Sequence, residues 1–199
     1  MTFFTDVGYV DSNESRNSLA FVGRNFFDEK LLSDIEKYIS SHELEKAKVL
    51  HADSKDAVKA RSSMVHWMND EKYKDFLMPI YENISRRVRM INEGMWRYNY
   101  NGYGIFQYSE YTKGDHFCWH IDQIGVRGES RKVSFSLGLS QESEYEGGDL
   151  VFKAGEAEDP YKLGRGDIIV FPSWMLHKVT PVTQGKRRVV VGWGEGLIL

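Results

Sequence analysis

The spacing of apolar residues changes near residue 95, and this change limits the folds open to the chain. Before that point, apolar residues recur every three or four positions, as on one face of an α-helix. After it, short apolar runs alternate with glycine-rich turns, as in antiparallel strands. The 199 residues therefore predict a mainly β fold of the sandwich or barrel type. We expect one domain over 1–199, with a helical support region at 1–95 and a β core at 96–199.

Two helices are predicted in the first half of the chain. Asp28 is expected to cap the first helix, whose apolar face contains Leu31, Leu32, Ile35, Tyr38 and Ile39. A polar stretch at 43–59 predicts a frayed helix end and a loop. The second helix follows Asp70, and Pro79 is expected to kink or break it. Its apolar face contains Phe76, Leu77, Ile80, Ile84, Val88 and Ile91.

Seven strands are predicted in the second half, each an apolar run bounded by turn residues. They are Tyr103–Tyr111, Phe117–Asp122, Lys132–Leu139, Asp149–Phe152, Asp167–Phe171, His177–Val182 and Arg187–Trp193.

Composition excludes several classes of function. The net charge is −3 and basic residues form no long run, so a nucleic-acid partner is not expected. The single cysteine, Cys118, excludes an internal disulfide framework and fits a reducing compartment. The N-terminal residues predict neither a signal peptide nor a membrane span, so a cytoplasmic location is expected. The oligomeric state is left open.

A possible metal site lies in the second half. Iron enzymes that activate O2 commonly bind the metal through two histidines and one carboxylate. His120-Ile121-Asp122 supplies such a pair on a predicted strand, where alternate side chains share a face, and His177 is the candidate third ligand. A second His-x-Asp pair, at His51 and Asp53, lies in a polar, loop-like stretch and is interpreted as chance. A histidine with apolar neighbours is more often a core residue than a ligand, so the pair needs support from elsewhere in the chain.

That support comes from the segment after His177, which predicts a strand, a turn at Gln184-Gly185 and a further strand. Arg187 is then expected on a strand that neighbours the strand of His177. A guanidinium there can bind a carboxylate through two hydrogen bonds. Arg188 is expected to point away, as a surface arginine. The predicted face of Arg187 also contains Val189, Val191 and Trp193.

These residues belong to an ordered set of motifs that resembles the prolyl 4-hydroxylase superfamily of Fe(II)- and 2-oxoglutarate-dependent dioxygenases, especially its small bacterial and viral members. Weaker likeness extends upstream to Arg61-Ser62-Ser63, Trp67 and Gln107-Tyr108, so the resemblance covers roughly residues 20–195. The main motifs are Tyr111-x-x-Gly114-x-x-Phe117-x-x-His120-x-Asp122, Arg131-Lys132-Val133-Ser134, Glu146-Gly147-Gly148-Asp149-Leu150, and Phe171-Pro172-Ser173 through His177 to Gly185 and Arg187.

The resemblance implies a double-stranded β-helix, the jelly-roll of cupin-like proteins, with the N-terminal helices packed on one sheet. It implies that His120, Asp122 and His177 bind Fe(II). It also implies that Arg187 pairs with the distal carboxylate of 2-oxoglutarate and that Tyr111 hydrogen-bonds this cosubstrate.

Other positions are assigned by weaker parts of the resemblance. Leu150 stands where some prolyl hydroxylases carry a threonine that helps to bind the cosubstrate, and Tyr108 or Ser136 are candidates to replace it. Arg131 and Trp193 match positions near the substrate, and Trp119 could offer a flat face to a proline ring. The two aromatic residues Tyr108 and Trp193 could instead belong to the core.

The implied reaction consumes O2 and converts 2-oxoglutarate to succinate and CO2 while a C–H bond is hydroxylated; ascorbate is a further candidate cofactor. The expected substrate is a prolyl residue in an extended segment of a protein or peptide. One alternative is an oxygenase of a free amino acid, another side chain or a small metabolite. Another is a non-catalytic metal-binding module on the same scaffold. Fold likeness does not separate these alternatives.

Overall fold

The computed structural model describes residues 19–48, 60–126 and 129–197, and this part of the chain is mainly β. The helices are α1 (Glu29–Ile39) and α2 (Lys74–Met95), with short 3-10 helices at Glu71–Tyr73 and Glu142–Glu144. The strands are β1 (Phe21–Gly23), β2 (Glu45–Lys46), β3 (Arg61–Ser62), β4 (Met64–Trp67), β5 (Gly102–Tyr103), β6 (Gln107–Tyr111), β7 (His116–His120), β8 (Gly125–Val126), β9 (Glu129–Gly138), β10 (Tyr145–Gly147), β11 (Leu150–Ala154), β12 (Ala157–Tyr161), β13 (Ile168–Pro172), β14 (His177–Val179), β15 (Val182–Gly185) and β16 (Arg187–Leu197).

The strands form a major sheet and a minor sheet that face each other. The major sheet has the order β1-β13-β9-β16-β6-β4-β2, with β5 beside β16 and β8 beside β9. The minor sheet has the order β12-β11-β14-β7-β3, and β10 pairs separately with β15. All of these pairings are antiparallel. This arrangement is the expected double-stranded β-helix.

The major sheet is buried on both faces, and strand β13 illustrates how. Ile168 and Val170 belong to a core cluster shared with α1 and α2, whereas Ile169 and Phe171 belong to a second cluster between the two sheets. Successive side chains of a strand point to opposite faces, so a fully apolar strand is required where both faces are covered. The helices therefore pack on the outer face of the major sheet, as predicted.

Helix α1 begins as predicted. The Asp28 carboxylate accepts a hydrogen bond from the Leu31 backbone N–H at 3.0 Å, which satisfies one of the free donors of the first turn. Pro79 does not break helix α2, which continues without interruption through it. Pro79 lies in the second turn, where its missing N–H removes a single hydrogen bond. Ile80, Ile84 and Val88 remain buried beyond it.

Several strands were missed or misjudged. The region 1–95 is not only helical, since β1 to β4 lie within it. These strands are two to four residues long, too short for a period-two pattern to appear. The predicted strand Tyr103–Tyr111 is interrupted between β5 and β6, and the predicted strand His177–Val182 divides into β14 and β15. Among the described helices, none is long and apolar enough to cross a membrane.

Candidate active site

His120, Asp122 and His177 lie together at one end of the space between the sheets, with their ligand atoms all within 4.8 Å of one another. His120 ends β7 and His177 begins β14, and the two residues are direct partners in the minor sheet. Asp122 bridges them, since one carboxylate oxygen is 3.7 Å from Nε2 of His120 and the other is 3.7 Å from Nε2 of His177. The predicted pair and the predicted distant residue are therefore brought together.

Backbone carbonyls orient both imidazoles. Nδ1 of His120 is 2.8 Å from the Cys118 carbonyl oxygen, and Nδ1 of His177 is 2.8 Å from the Met175 carbonyl oxygen. A carbonyl only accepts hydrogen bonds, so each Nδ1 carries a proton, and in a neutral ring Nε2 then presents its lone pair. Such outer contacts are the usual means of fixing a ligating histidine.

The position of Asp122 has a different cause from the one predicted. Strand β7 ends at His120, so Asp122 lies beyond the strand and not on it. The backbone N–H groups of Asp122 and Gln123 both donate to the Ser173 carbonyl oxygen, each at 2.9 Å. This link to the end of β13 turns the chain after His120 and directs the Asp122 carboxylate toward the histidines.

A β-bulge in β7 decides which side chains face the site. His177 pairs with His120 and Val179 pairs with Phe117, so three steps along β7 match two along β14. The extra residue shifts the alternation. As a result Phe117 stacks on the His120 ring, with 3.6 Å between ring centroids. Trp119, next to His120, points to the outer face by ordinary alternation, and the Lys178 Nζ lies 4.3 Å from its ring centroid there.

Burial and charge favour neutral imidazole and ionised carboxylate in the triad. Burial, aided by the nearby His177, lowers the pKa of His120 to about 4. For Asp122, burial alone would raise the pKa. The attraction of both histidines, with hydrogen bonds from Trp193 and Ser134, outweighs burial and holds the pKa of Asp122 below its usual value. At neutral pH these states leave the donor lone pairs available to a cation.

Arg187 lines the same cavity from the opposite sheet. It begins β16, whose neighbours are β6 and β9, whereas His177 belongs to the minor sheet, so the two are not on neighbouring strands as predicted. The chain leaves β15 for the major sheet at Gly185, the last residue of β15, whose backbone is left-handed (φ 73°). Arg187 is 2% exposed. Its Nε is buried and has no hydrogen-bond partner within the described part of the chain.

An unpaired buried guanidinium nitrogen is costly and indicates a missing anionic partner. Tyr111 lies beside it, with the Arg187 guanidinium carbon 5.2 Å from the Tyr111 ring centroid. The cavity and its open mouth together enclose about 480 Å³ of space. Its lining comprises Arg61, Gln107, Tyr111, Phe117, His120, Asp122, Phe135, Ser136, Leu150, Phe171, His177, Val179, Arg187, Val189, Val191 and Trp193.

Two predicted site residues lie elsewhere. Tyr108 is buried in the core between the helices and the major sheet and donates to Glu110 at 3.2 Å. In β6, Gln107 and Tyr111 face the cavity, and Tyr108 is out of phase with both, so it does not reach a cosubstrate there. Trp119 is also outside the cavity, because it is next to His120 on β7 and therefore points to the opposite face. Its predicted contact with substrate is therefore not supported.

The other predicted residues lie in or beside the cavity. Tyr111, Ser136 and Trp193 line it. Arg131 lies at its edge and stacks on Trp193, with 3.6 Å between its guanidinium carbon and the ring centroid. The alternative pair His51 and Asp53 lies outside the described residues.

Sequence reasoning gave too little weight to Arg61. This residue lines the cavity and donates to the Gln107 side-chain oxygen at 2.8 Å and to the Ser109 hydroxyl at 3.2 Å. Its guanidinium carbon lies 4.8 Å from the ring centroid of Phe117. The short strand β3 gives no local signal, and only the weak upstream likeness at Arg61-Ser62-Ser63 pointed to it.

The fold and the triad together define a double-stranded β-helix protein with a two-histidine, one-carboxylate site, the arrangement that non-haem Fe(II) oxygenases use. Residues 106–195 match the model of the 2OG-Fe(II) oxygenase superfamily. This segment contains the triad, Tyr111 and Arg187. The family implies Fe(II) as metal and 2-oxoglutarate and O2 as cosubstrates.

Curated relatives support the same assignment. A PKHD-type hydroxylase of Idiomarina loihiensis is 40% identical over 90 residues, which are 45% of this chain and 41% of the relative. A PKHD-type hydroxylase of Picosynechococcus is 42% identical over 91 residues, 46% of this chain and 42% of the relative. The match thus spans about two-fifths of the length of these relatives.

Solved structures share the fold at low sequence identity. A Pseudomonas putida prolyl-4-hydroxylase superposes with a TM-score of 0.69 at 17% identity, covering 92% of this chain and 96% of that one. A Trichoplax adhaerens prolyl hydroxylase, in complex with a hypoxia inducible factor peptide fragment, gives 0.73 at 15% identity, covering 92% and 86%. These structures show the double-stranded β-helix fold, and the family model and the curated relatives support the resemblance to 2OG-Fe(II) oxygenases.

Proposed function

We propose that the protein is an Fe(II)- and 2-oxoglutarate-dependent dioxygenase that hydroxylates a prolyl residue in a protein or peptide. The observation that carries the proposal is one cavity that holds both a metal-ligand triad and a buried arginine whose Nε lacks a partner among the described residues. A metal-binding module needs the triad alone. A site for a metal and a dicarboxylate needs both parts.

His120, Asp122 and His177 would hold the metal through two imidazole nitrogens and one carboxylate oxygen. This donor set suits Fe(II), and three protein ligands leave positions for other molecules. With 2-oxoglutarate and O2, the bound iron supplies the oxidising chemistry that hydroxylates a C–H bond while succinate and CO2 form. The protein's share is to position the reactants and to exclude water.

Arg187 would bind the distal carboxylate of 2-oxoglutarate, with Tyr111 as a further hydrogen-bond donor. Part of the cavity wall is apolar, since Leu150, Val179 and Val189 line it. An ion pair in such surroundings is less screened than one in water. A five-carbon diacid would thereby be held with one end at Arg187 and the other at the triad.

The prolyl substrate is supported by the edge of the cavity. The Trp67 and Trp193 rings lie 6.2 Å apart there, and Trp67 is exposed. Flat aromatic faces suit a proline ring, and proline favours the extended backbone that enters a groove at low entropic cost. The Trichoplax adhaerens prolyl hydroxylase, which shares the fold, is in complex with a peptide fragment. This observation fits a protein or peptide substrate for the chain.

We infer that residues 1–199 act as one oxygenase domain, because helices, major sheet and minor sheet share continuous cores. We also place the protein in the cytoplasm, as the single cysteine predicts.

The test is incubation with Fe(II), 2-oxoglutarate and ascorbate, with proline-containing peptides, host-protein extract and free L-proline in parallel. The expected result is succinate formation with a mass gain of one oxygen on a peptidyl proline, both absent in His177→Ala. Hydroxyproline formed only from free proline would assign a small-molecule enzyme. Oxygen on another residue would overturn the prolyl substrate alone. Metal binding without any succinate, with or without substrate, would indicate the non-catalytic module.

A further inference from the structure

A guanidinium, a phenyl ring and an imidazole contact one another in sequence at the side of the cavity, and the imidazole is that of His120. The Phe117 and His120 rings are stacked, with 3.6 Å between centroids and 17° between planes. The guanidinium carbon of Arg61 lies 4.8 Å from the Phe117 ring centroid. Arg61 and Phe117 both line the cavity, but neither offers an atom of the kind that binds the metal.

The His120 imidazole needs more than its hydrogen bond to be fixed in one orientation. Nδ1 lies 2.8 Å from the Cys118 carbonyl oxygen, which holds one corner of the ring. The terminal torsion of a histidine side chain has a broad minimum, so the ring can still tilt about that corner. The His177 ring contacts it at an angle of 54°, whereas the Phe117 ring is nearly parallel to it. Phe117 is therefore the neighbour that sets the plane of the imidazole.

Arg61 is itself held from several sides. It is the direct partner of Phe117 in the pairing of β3 with β7, which places the two side chains on the same face of the minor sheet. Its Nε donates to the Ser63 hydroxyl at 3.0 Å. Its Nη2 donates to Gln107 at 2.8 Å and to Ser109 at 3.2 Å, and both of these residues are buried in β6 of the major sheet. The guanidinium thus connects the two sheets beside the Phe117 ring.

We propose that Phe117 and Arg61 are positioning residues that hold the His120 imidazole in its metal-binding orientation. The proposal rests on the proposed metal site and deepens it. Phe117 acts on the imidazole by stacking, and Arg61 acts through Phe117 by a cation–π contact. Such contacts are individually weak. They matter here because a metal ligand has to be held within about 10–20° of its productive orientation.

The effects on metal affinity should be graded. Phe117→Leu removes the flat face and keeps an apolar side chain, and should weaken metal binding about 2–10-fold, the usual effect of an aromatic pair on an equilibrium. Phe117→Tyr keeps the ring and should keep near-normal affinity. Arg61→Met removes the cation and should weaken binding about 2–5-fold. In the Phe117→Leu background, Arg61→Met should cause no further loss, since Arg61 acts only through Phe117.

The experiment is calorimetric titration of Mn(II), a redox-stable substitute for Fe(II), into metal-free protein without cosubstrate. The control for Phe117 is Phe76→Leu, because Phe76 is also a partly buried ring with a cation nearby, the Lys37 Nζ at 6.0 Å, and it packs on the core between the helices and the major sheet. The control for Arg61 is Arg89→Met, because the Arg89 guanidinium carbon lies 5.0 Å from the Tyr100 ring centroid, outside the cavity lining.

Thermal denaturation of each variant shows whether it is folded. Affinity lost in Phe117→Leu, and retained in Phe117→Tyr and in both controls, supports the proposal. Unchanged affinity in folded Phe117→Leu overturns it, as does equal loss in Phe76→Leu. A further loss on adding Arg61→Met to Phe117→Leu overturns the role of Arg61. If Phe117→Leu does not fold, Arg61→Met decides, and affinity equal to that of Arg89→Met overturns the proposal. Absence of binding by the unsubstituted protein would instead overturn the metal site itself.

Discussion

The imidazoles of His120 and His177 lie side by side on adjacent strands of the minor sheet, with 4.1 Å between ring centroids. Their strands are adjacent and antiparallel, and their register makes the two residues direct partners. Each ring is held from behind by a carbonyl two residues earlier in the chain. The candidate metal site is therefore formed by strand pairing, and it depends on residues far apart in sequence.

Removal of any one triad side chain should abolish turnover and leave the fold largely intact. We expect His120→Ala, Asp122→Ala and His177→Ala each to weaken Fe(II) binding by more than the roughly 10–100-fold typical of a lost outer contact, because a direct ligand is removed. Anaerobic Fe(II) titration and succinate release measure this.

The control for this experiment is His116→Ala, since His116 is on the same strand β7 but outside the cavity lining. His51→Ala tests the other His-x-Asp pair. Both should keep near-normal Fe(II) affinity. Near-normal binding and turnover in His177→Ala would show that the triad is assigned wrongly.

Arg187→Ala should weaken 2-oxoglutarate binding by about 2–5 kcal/mol, the usual cost of breaking a buried charge pair. Arg188→Ala is the matched comparison, because Arg188 is on the opposite face of β16 and pairs with Glu36 and Glu144. Its loss should affect stability and not cosubstrate affinity. Titration of 2-oxoglutarate into the Mn(II)-loaded proteins measures the cosubstrate affinity of both variants. Equal losses of affinity would reject the assigned phase of β16.

Tyr111→Phe and Tyr108→Phe should separate in the same titration. A hydrogen bond to a charged group contributes about 1.5–3 kcal/mol, so Tyr111→Phe is expected to bind 2-oxoglutarate at least ~10-fold more weakly. Tyr108→Phe should bind it normally, because Tyr108 lies in the core on the helix side of the major sheet. The reverse order of affinities would restore Tyr108 as the cosubstrate residue.

Prediction from sequence succeeded where the pattern was long and local. The apolar faces of α1 and α2 and the fully apolar strand β13 were all recognised, because each repeats over several turns or residues. The phase of β16 was also correct: Arg187 and Trp193 line the cavity while Arg188 does not. Alternation along one strand is enough to decide this.

Prediction failed where position depends on a contact distant in sequence. The bulge in β7 brings Phe117 to the face of His120, and the Asp122 backbone is placed by Ser173. Tyr108 was assigned to the cosubstrate together with Tyr111, although the two residues are three positions apart on β6 and their side chains therefore point to opposite faces. Arg61 enters the cavity on a two-residue strand, which carries no periodicity. Phe117, Asp122 and Arg61 are placed by partners on other parts of the chain, whereas Tyr108 and Trp119 are kept out of the cavity by the alternation along their own strands.

The metal-free protein should lose stability on mild acidification, and His120 should cause part of the loss. The pKa of His120 is lowered from 6.5 to about 4 in the folded state. Between these values the unfolded chain binds a proton that the folded chain excludes, so the free energy of unfolding falls as pH falls. From pH 7.5 to pH 5 the expected contribution is about 2 kcal/mol. Urea denaturation in the presence of a chelator measures it.

The matched variant for this measurement is His120→Gln, which removes the titrating group and keeps a polar side chain. Its unfolding free energy should fall less than that of the unsubstituted protein over the same pH range. Some dependence should remain, because burial also lowers the pKa of His66. Identical pH dependence in both proteins would mean that His120 is protonated as easily in the folded state as in the unfolded state. Saturating Mn(II) should steepen the loss of stability in the unsubstituted protein, since protons then compete with the metal for the imidazoles.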